Sequence, residues 1–175
     1  MKILLFLFLG FFLFTFSAGA SFAQDDREMT IILLRHAEKD LSIDPLDPNP
    51  DLSPEGKQRA ERFVEVVRKY KPEAIYSSMF KRTIDTVTPL AKQIHPKYRV
   101  MIQFYDHRNL NALVDRMMAS GVRTMVVSGH NSTTPALATL FIKENKYKSL
   151  AESEYDKIWI IKIKKGKVRD EIITY

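Results

Sequence analysis

At 175 residues with 45% apolar content, the chain is long enough to bury a core, and with 27 basic against 21 acidic side chains it is only mildly cationic. The absence of cysteine excludes a disulfide scaffold and a lipid-modified cysteine. Acidic and basic residues are interleaved, as in Asp25-Asp26-Arg27-Glu28, so the net charge of +6 fits small anionic substrates better than nucleic acid.

The first predicted element is a targeting segment spanning residues 1–23. Lys2 gives a positive start, Ile3 to Phe16 is an apolar core, and Ser21-Phe22-Ala23 resembles a small-x-small cleavage site. The apolar run falls short of the about 20 residues that cross a bilayer, which favours cleavage before Gln24 over an uncleaved anchor. The expectation is a secreted or periplasmic protein, residues 24–175, with no stable membrane insertion after cleavage.

Thr30 to Leu34 follows as a β-branched and leucine run, the pattern of a parallel strand buried on both faces. Asp40 to Asp51 is rich in Asp and Pro and reads as a loop. Ser53-Pro54 opens a helix, with Ser53 as cap and Ala60, Phe63, Val64 and Val67 on its buried face. Lys71-Pro72 ends it. A second strand, Ala74 to Ser78, leads to a helix carrying Ile84, Val87, Ala91 and Ile94, with Pro89 predicted to kink it. A weaker third strand is expected around Tyr98 to Ile102, and a helix from Leu110 to Met118. A fourth strand, Thr124 to Ser128, precedes a helix opening at Thr134-Pro135. Lys157 to Ile163 and Val168 to Thr174 pair around Lys165-Gly166 as a hairpin, whose lysines read as solvated strand and turn residues. Alternating strands and helices predict an α/β domain: a three-layer sandwich with a mostly parallel sheet between helices and a C-terminal β-hairpin.

Ligands of open parallel sheets bind beyond the carboxyl ends of the strands. There the chain places Arg35-His36, Lys81-Arg82 and Gly129-His130-Asn131, a set suited to binding and attacking a phosphoryl group. A neutral imidazole is a good nucleophile near pH 7, and neighbouring guanidiniums disfavour its protonation. The same guanidiniums grip phosphate oxygens in a two-pronged fashion. Taken singly, Arg35 and His36 could be loop polar residues and His130 a satisfied core histidine. No metal is expected: no H-x-H or H-x-x-x-H spacing exists, and the adjacent arginines repel a divalent cation. His95 reads as surface, and His107 as a solvated loop residue or, alternatively, as lining the mouth of the pocket.

Four segments, in order, resemble the histidine phosphatase superfamily, the phosphoglycerate mutase-like proteins. Leu33-Leu34-Arg35-His36-Ala37-Glu38 is similar to its nucleophile motif, with Ala37 where the family more often has Gly. Leu52-Ser53-Pro54-Glu55-Gly56 is similar to its helix opening, and Tyr76-Ser77-Ser78 through Arg82 to Thr86 to its Y-S-S-x-x-x-R-x-x-x-T segment. Val126 to Ser132, containing Gly129-His130, completes the set. The short chain is most similar to the phosphohistidine-phosphatase-like branch.

The resemblance implies His36 as the nucleophile of a phosphohistidine intermediate, with Arg35, Arg82 and His130 around the phosphoryl group and no cofactor; beside them Asn131 could cap or contact the phosphate site, and Ser77 could touch phosphate. It implies a carboxylic acid to protonate the leaving group, either Asp106, which could equally cap the next helix, or Glu38, which could instead orient His36 or pair with Lys39. The expected function is therefore a metal-independent phosphomonoester hydrolase acting on a phosphorylated small molecule or envelope component. The alternatives are a phosphohistidine protein phosphatase, an envelope sugar-phosphate phosphatase, or a non-catalytic phosphate-binding module.

Overall fold

In the computed structural model, which describes residues 28–94 and 102–175, the β-branched run after residue 28 forms β1 (Met29–Arg35), with Ile31 to Leu34 fully shielded from solvent. Such a strand needs neighbours on both sides. It pairs in parallel with β4 (Thr124–Gly129) and antiparallel with β5 (Lys157–Lys164). On the far side of β4 lie β2 (Ala74–Ser77) and the two-residue β3 (Gln103–Phe104), both parallel. Beyond β5 lies β6 (Lys167–Thr174), giving six strands in the order β3-β2-β4-β1-β5-β6. The sheet is thus parallel across four strands and closed on one side by an antiparallel hairpin.

Helices cover both faces. On one, Phe63, Val64 and Val67 of α1 (Pro54–Val67) and Val87 and Leu90 of α2 (Lys81–Ile94) pack on Ile32, Leu34, Ile75, Val126, Ile158 and Ile160. On the other, Leu113 and Met117 of α3 (Leu110–Ala119) and Leu137 and Phe141 of α4 (Thr133–Ile142) pack on Ile31, Leu33, Met125, Val127 and Trp159. Consecutive residues of one strand therefore feed opposite cores, as the two-residue period of a strand requires.

Local chemistry sets the boundaries. Ser53 caps α1, its Oγ accepting from the Gly56 amide at 3.1 Å. The α1 chain continues as a 3₁₀ turn to Tyr70 and stops at Lys71, whose φ is 53°. Pro89 sits inside α2 without breaking it. Asn109 caps α3 through the Ala112 amide, the task the sequence offered to Asp106. The predicted strand around Tyr98 to Ile102 falls largely outside the described residues, as do His95 and the 1–23 segment; the pairing seen is at Gln103–Phe104. The hairpin turns on Lys165 and Gly166, both with positive φ, the requirement of a type I′ turn.

Candidate active site

Because β1, β2 and β4 are parallel, their carboxyl ends meet at one edge, with Arg35 level with Gly129 and Ser77 level with Ser128. The next residue of β1, His36, donates its amide to the Gly129 carbonyl at 2.9 Å. This places the His36 and His130 rings 5.6 Å apart at 68°. Both are buried. The loop after β2 supplies a third group: Ser78 Oγ lies 2.9 Å from His130 Nε2 and 2.9 Å from Thr83 Oγ1.

His36 Nδ1 lies 2.7 Å from the Ala37 carbonyl. A carbonyl can only accept, so Nδ1 carries the proton and Nε2 keeps its lone pair. Burial is the main reason that the imidazole stays neutral to about pH 3; the charges of Arg35, Arg82 and His130 add to it, while the Ala37 bond opposes. His130 is held at about 4, again chiefly by burial and then by Arg82. The site thus presents two neutral imidazoles among cations.

The segment after His36 is fixed by its surroundings. The Ala37 amide donates to Thr86 Oγ1, whose hydroxyl donates to the Arg82 carbonyl, tying the β1 end to α2. Ala37 is not among the residues with positive φ, so its methyl group carries no backbone strain. Gly56 is required for another reason: a Cβ there would lie 2.3 Å from the Glu38 carbonyl oxygen, against which the first turn of α1 packs.

The two arginines are placed differently. Arg35 is 1% exposed. Its Nη1 donates to the carbonyls of Ala151, Glu152 and Glu154, its Nη2 to Glu152 Oε2 at 2.9 Å, and its guanidinium lies 4.1 Å from the Tyr155 ring centre. Arg82 lies 4.4 Å from the Phe80 ring centre and donates Nη1 to the Pro48 carbonyl. Burial and the nearby Arg35 charge lower its pKa. The Nε atoms of both arginines are buried without a protein partner. Buried donors of this kind call for an acceptor, and an oxyanion between the cations would supply it.

The remaining sequence-predicted residues lie at the same edge in other pairings. Both oxygens of Glu38 accept from Arg59, which keeps the carboxyl ionised below its ordinary range. Asp106 accepts from the Arg108 amide and guanidinium and is held at about 2, with the side-chain bond the larger cause. Asn131 Nδ2 donates to Glu152 Oε1, and Ser77 Oγ to the Ser78 carbonyl. His107 contacts the Phe80 and His130 rings at 5.3 and 5.6 Å rather than standing free in solvent. It lines two clefts, one of about 400 Å³ with Met79, Phe80 and Phe104, the other of about 480 Å³ between α3 and α4.

Sequence reasoning did not single out Ser78, Thr83, Glu152 or Tyr155. Ser78 and Thr83 stand in the segment that carries Arg82 and could have been read there. Glu152 and Tyr155 have no local signal: they come to Arg35 from more than a hundred residues away.

The sequence profile of the histidine phosphatase superfamily (branch 1) matches residues 31–111 and supports membership of that superfamily. No curated protein sequence matches the chain at a significant level. Solved structures share its fold at low identity. A mycobacterial glucosyl-3-phosphoglycerate phosphatase is 16% identical with a TM-score of 0.62, covering 85% of this chain and 99% of its own. The protein histidine phosphatase SixA in complex with tungstate is 14% identical with a TM-score of 0.64, covering 83% and 97%. Mycobacterial hydrolase 1 is 15% identical with a TM-score of 0.62, covering 85% and 98%.

Proposed function

We propose that this chain is a metal-independent histidine phosphatase that transfers a phosphoryl group to His36 and then to water. The observation that carries the reading is the state of His36: a buried neutral ring whose Nδ1 proton is fixed by Ala37, leaving Nε2 as the nucleophile beside His130 and two cationic side chains. Attack by the Nε2 lone pair forms the N–P bond as the bond to the leaving group breaks. The ring then carries positive charge, which the Ala37 carbonyl stabilises through Nδ1–H. Arg82 and the Nε of Arg35 neutralise the equatorial oxygens, where charge gathers in phosphoryl transfer. Water attacking phosphorus returns the electron pair to Nε2 and releases phosphate.

A second reading concerns the leaving group. Glu38 and Asp106 are both ion-paired and held ionised, so neither is ready to donate a proton near neutral pH. Substrates whose leaving group departs without a strong acid, such as the imidazole of a phosphohistidine or a phenol, fit this arrangement better than an alkyl phosphate. That favours a phosphohistidine protein over a sugar phosphate.

One experiment tests both readings. Wild type and His36→Ala are assayed on aryl phosphate, phosphoramidate and glycerol phosphate, with phosphoenzyme trapping. The expected result is an acid-labile phosphohistidine, a loss of several orders of magnitude in His36→Ala, and rates that fall steeply for glycerol phosphate. Near-normal turnover by His36→Ala overturns the mechanism. Equal rates on all three substrates overturn the second reading. Phosphate binding without turnover of any substrate would favour a binding module.

A further inference from the structure

The other end of the sheet carries a feature that phosphoryl chemistry leaves unused. In the β5–β6 ladder, Lys162 stands opposite Arg169 and Lys164 opposite Lys167. Residues two apart on a strand point to the same face, so these four form a two-by-two cationic array, in line with Ile158, Ile160 and Ile173 of the core under α1. Like charges directly opposite each other destabilise a strand pair. The hairpin retains two such pairs in succession. Among the described residues no carboxylate forms an ion pair with any of the four, although Glu171 and Glu28 are their acidic neighbours. A groove of about 280 Å³ runs over the array, lined by Glu28, Lys162, Lys164, Lys165, Lys167 and Arg169.

Two observations say what covers it. The first is charge: the array calls for a partner offering several anionic groups at close spacing. The second is the path of the chain. Met29 is level with Ile163 and Glu28 lines this groove, so the groove lies where the chain joins the segment expected to bring it to a membrane before cleavage. We propose that the basic end of the β5–β6 hairpin docks on an anionic phospholipid surface. Paired strand residues lie roughly 5 Å apart and successive same-face residues roughly 7 Å apart. The array is therefore much smaller than the ~600–1,000 Å² by which even a single DNA-binding module grips a duplex. A bilayer presents phosphates continuously and fits a small flat array. Because β5 runs antiparallel to β1, docking here points the edge bearing His36 and His130 away from the lipid. The lipid is a support and the substrate comes from the aqueous side.

The test is co-sedimentation of the full chain with vesicles of phosphatidylcholine alone or with 30% phosphatidylglycerol, at low and high salt, for wild type and K162Q/K164Q/K167Q/R169Q. Each basic residue near an anionic surface adds roughly fivefold in affinity. The wild type is expected to prefer anionic vesicles, with the preference lost in high salt and reduced roughly 100-fold or more in the fourfold variant. Insertion of the apolar run alone would show no such lipid-charge dependence. The variant should keep or raise the thermal midpoint, since two repulsive pairs are removed. If it does not fold, K164Q/K167Q at the exposed turn replaces it, with a smaller loss of the same sign. Equal binding to neutral and anionic vesicles, or an undiminished anionic preference in the folded variant, overturns the proposal. So does tighter binding of duplex DNA than of anionic vesicles.

Discussion

His36 shows how one residue carries both a chemical and a thermodynamic consequence. Burial lowers its pKa to about 3, and His130 to about 4, while an unfolded histidine titrates near 6.5. The unfolded chain therefore takes up protons first as pH falls, so stability is full above about 6.5 and declines from there toward the folded values. Thermal melts between pH 7 and 5, above the range where most carboxylates titrate, should show a falling midpoint, and His36→Asn should flatten the slope. An unchanged midpoint over that range would mean that the ring is not buried as described. Arg82→Lys should lower kcat/KM by at least tenfold, because an ammonium cannot reproduce the planar fork and its buried Nε donor. Glu152 carries a different expectation. Its carboxylate occupies Arg35 Nη2, Asn131 Nδ2 and, at 3.5 Å, Lys39 Nζ. Glu152→Gln removes that competing charge, so inhibition by phosphate or vanadate should tighten several-fold; weaker inhibition would assign Glu152 to holding Arg35 in place.

At the scale of elements, the site depends on how tightly α1 meets the end of β1. Ser53 N donates to the Glu38 carbonyl, and Gly56 leaves no room for a side chain against that same oxygen. Gly56→Ala should therefore cost roughly 1–3 kcal/mol in a denaturant melt, as overpacking against backbone does, and lower activity by displacing the segment that carries His36. A neutral result would require a shift of α1, visible as a change at Arg59–Glu38. Most elements were legible because period and capping are local: Ser53-Pro54, the α1 face and the Lys165-Gly166 hairpin are where the sequence puts them. The third strand was legible only weakly: its expected range, Tyr98 to Ile102, falls largely outside the described residues, and the pairing described with β2 is at Gln103–Phe104.

For the whole molecule, the expectation from residues 1–23 is export followed by cleavage before Gln24. N-terminal sequencing of protein from the native host should find Gln24 or a close neighbour first; Met1 retained in a membrane fraction would instead mean an anchor. A retained anchor would leave the fold at the same basic groove, so the lipid-charge test on the hairpin variants separates the two contributions.

The sequence by itself determined the elements that have a period and the residues that follow them: an apolar run ending in Arg35-His36, another ending in Gly129-His130, and Arg82 at the start of a helix. Parallel pairing of buried strands then brings these ends to one edge. What only the tertiary structure decided was how each side chain is spent. The strand order and the use of Ser78 rather than Ser77 against His130 depend on register, where a one-residue offset turns a side chain to the opposite face, and the pairing of Glu38 with Arg59 depends on how α1 packs on the end of β1. The enclosure of Arg35 by residues 151–155 depends on contacts between segments more than a hundred residues apart, and such contacts leave no periodic trace in a chain.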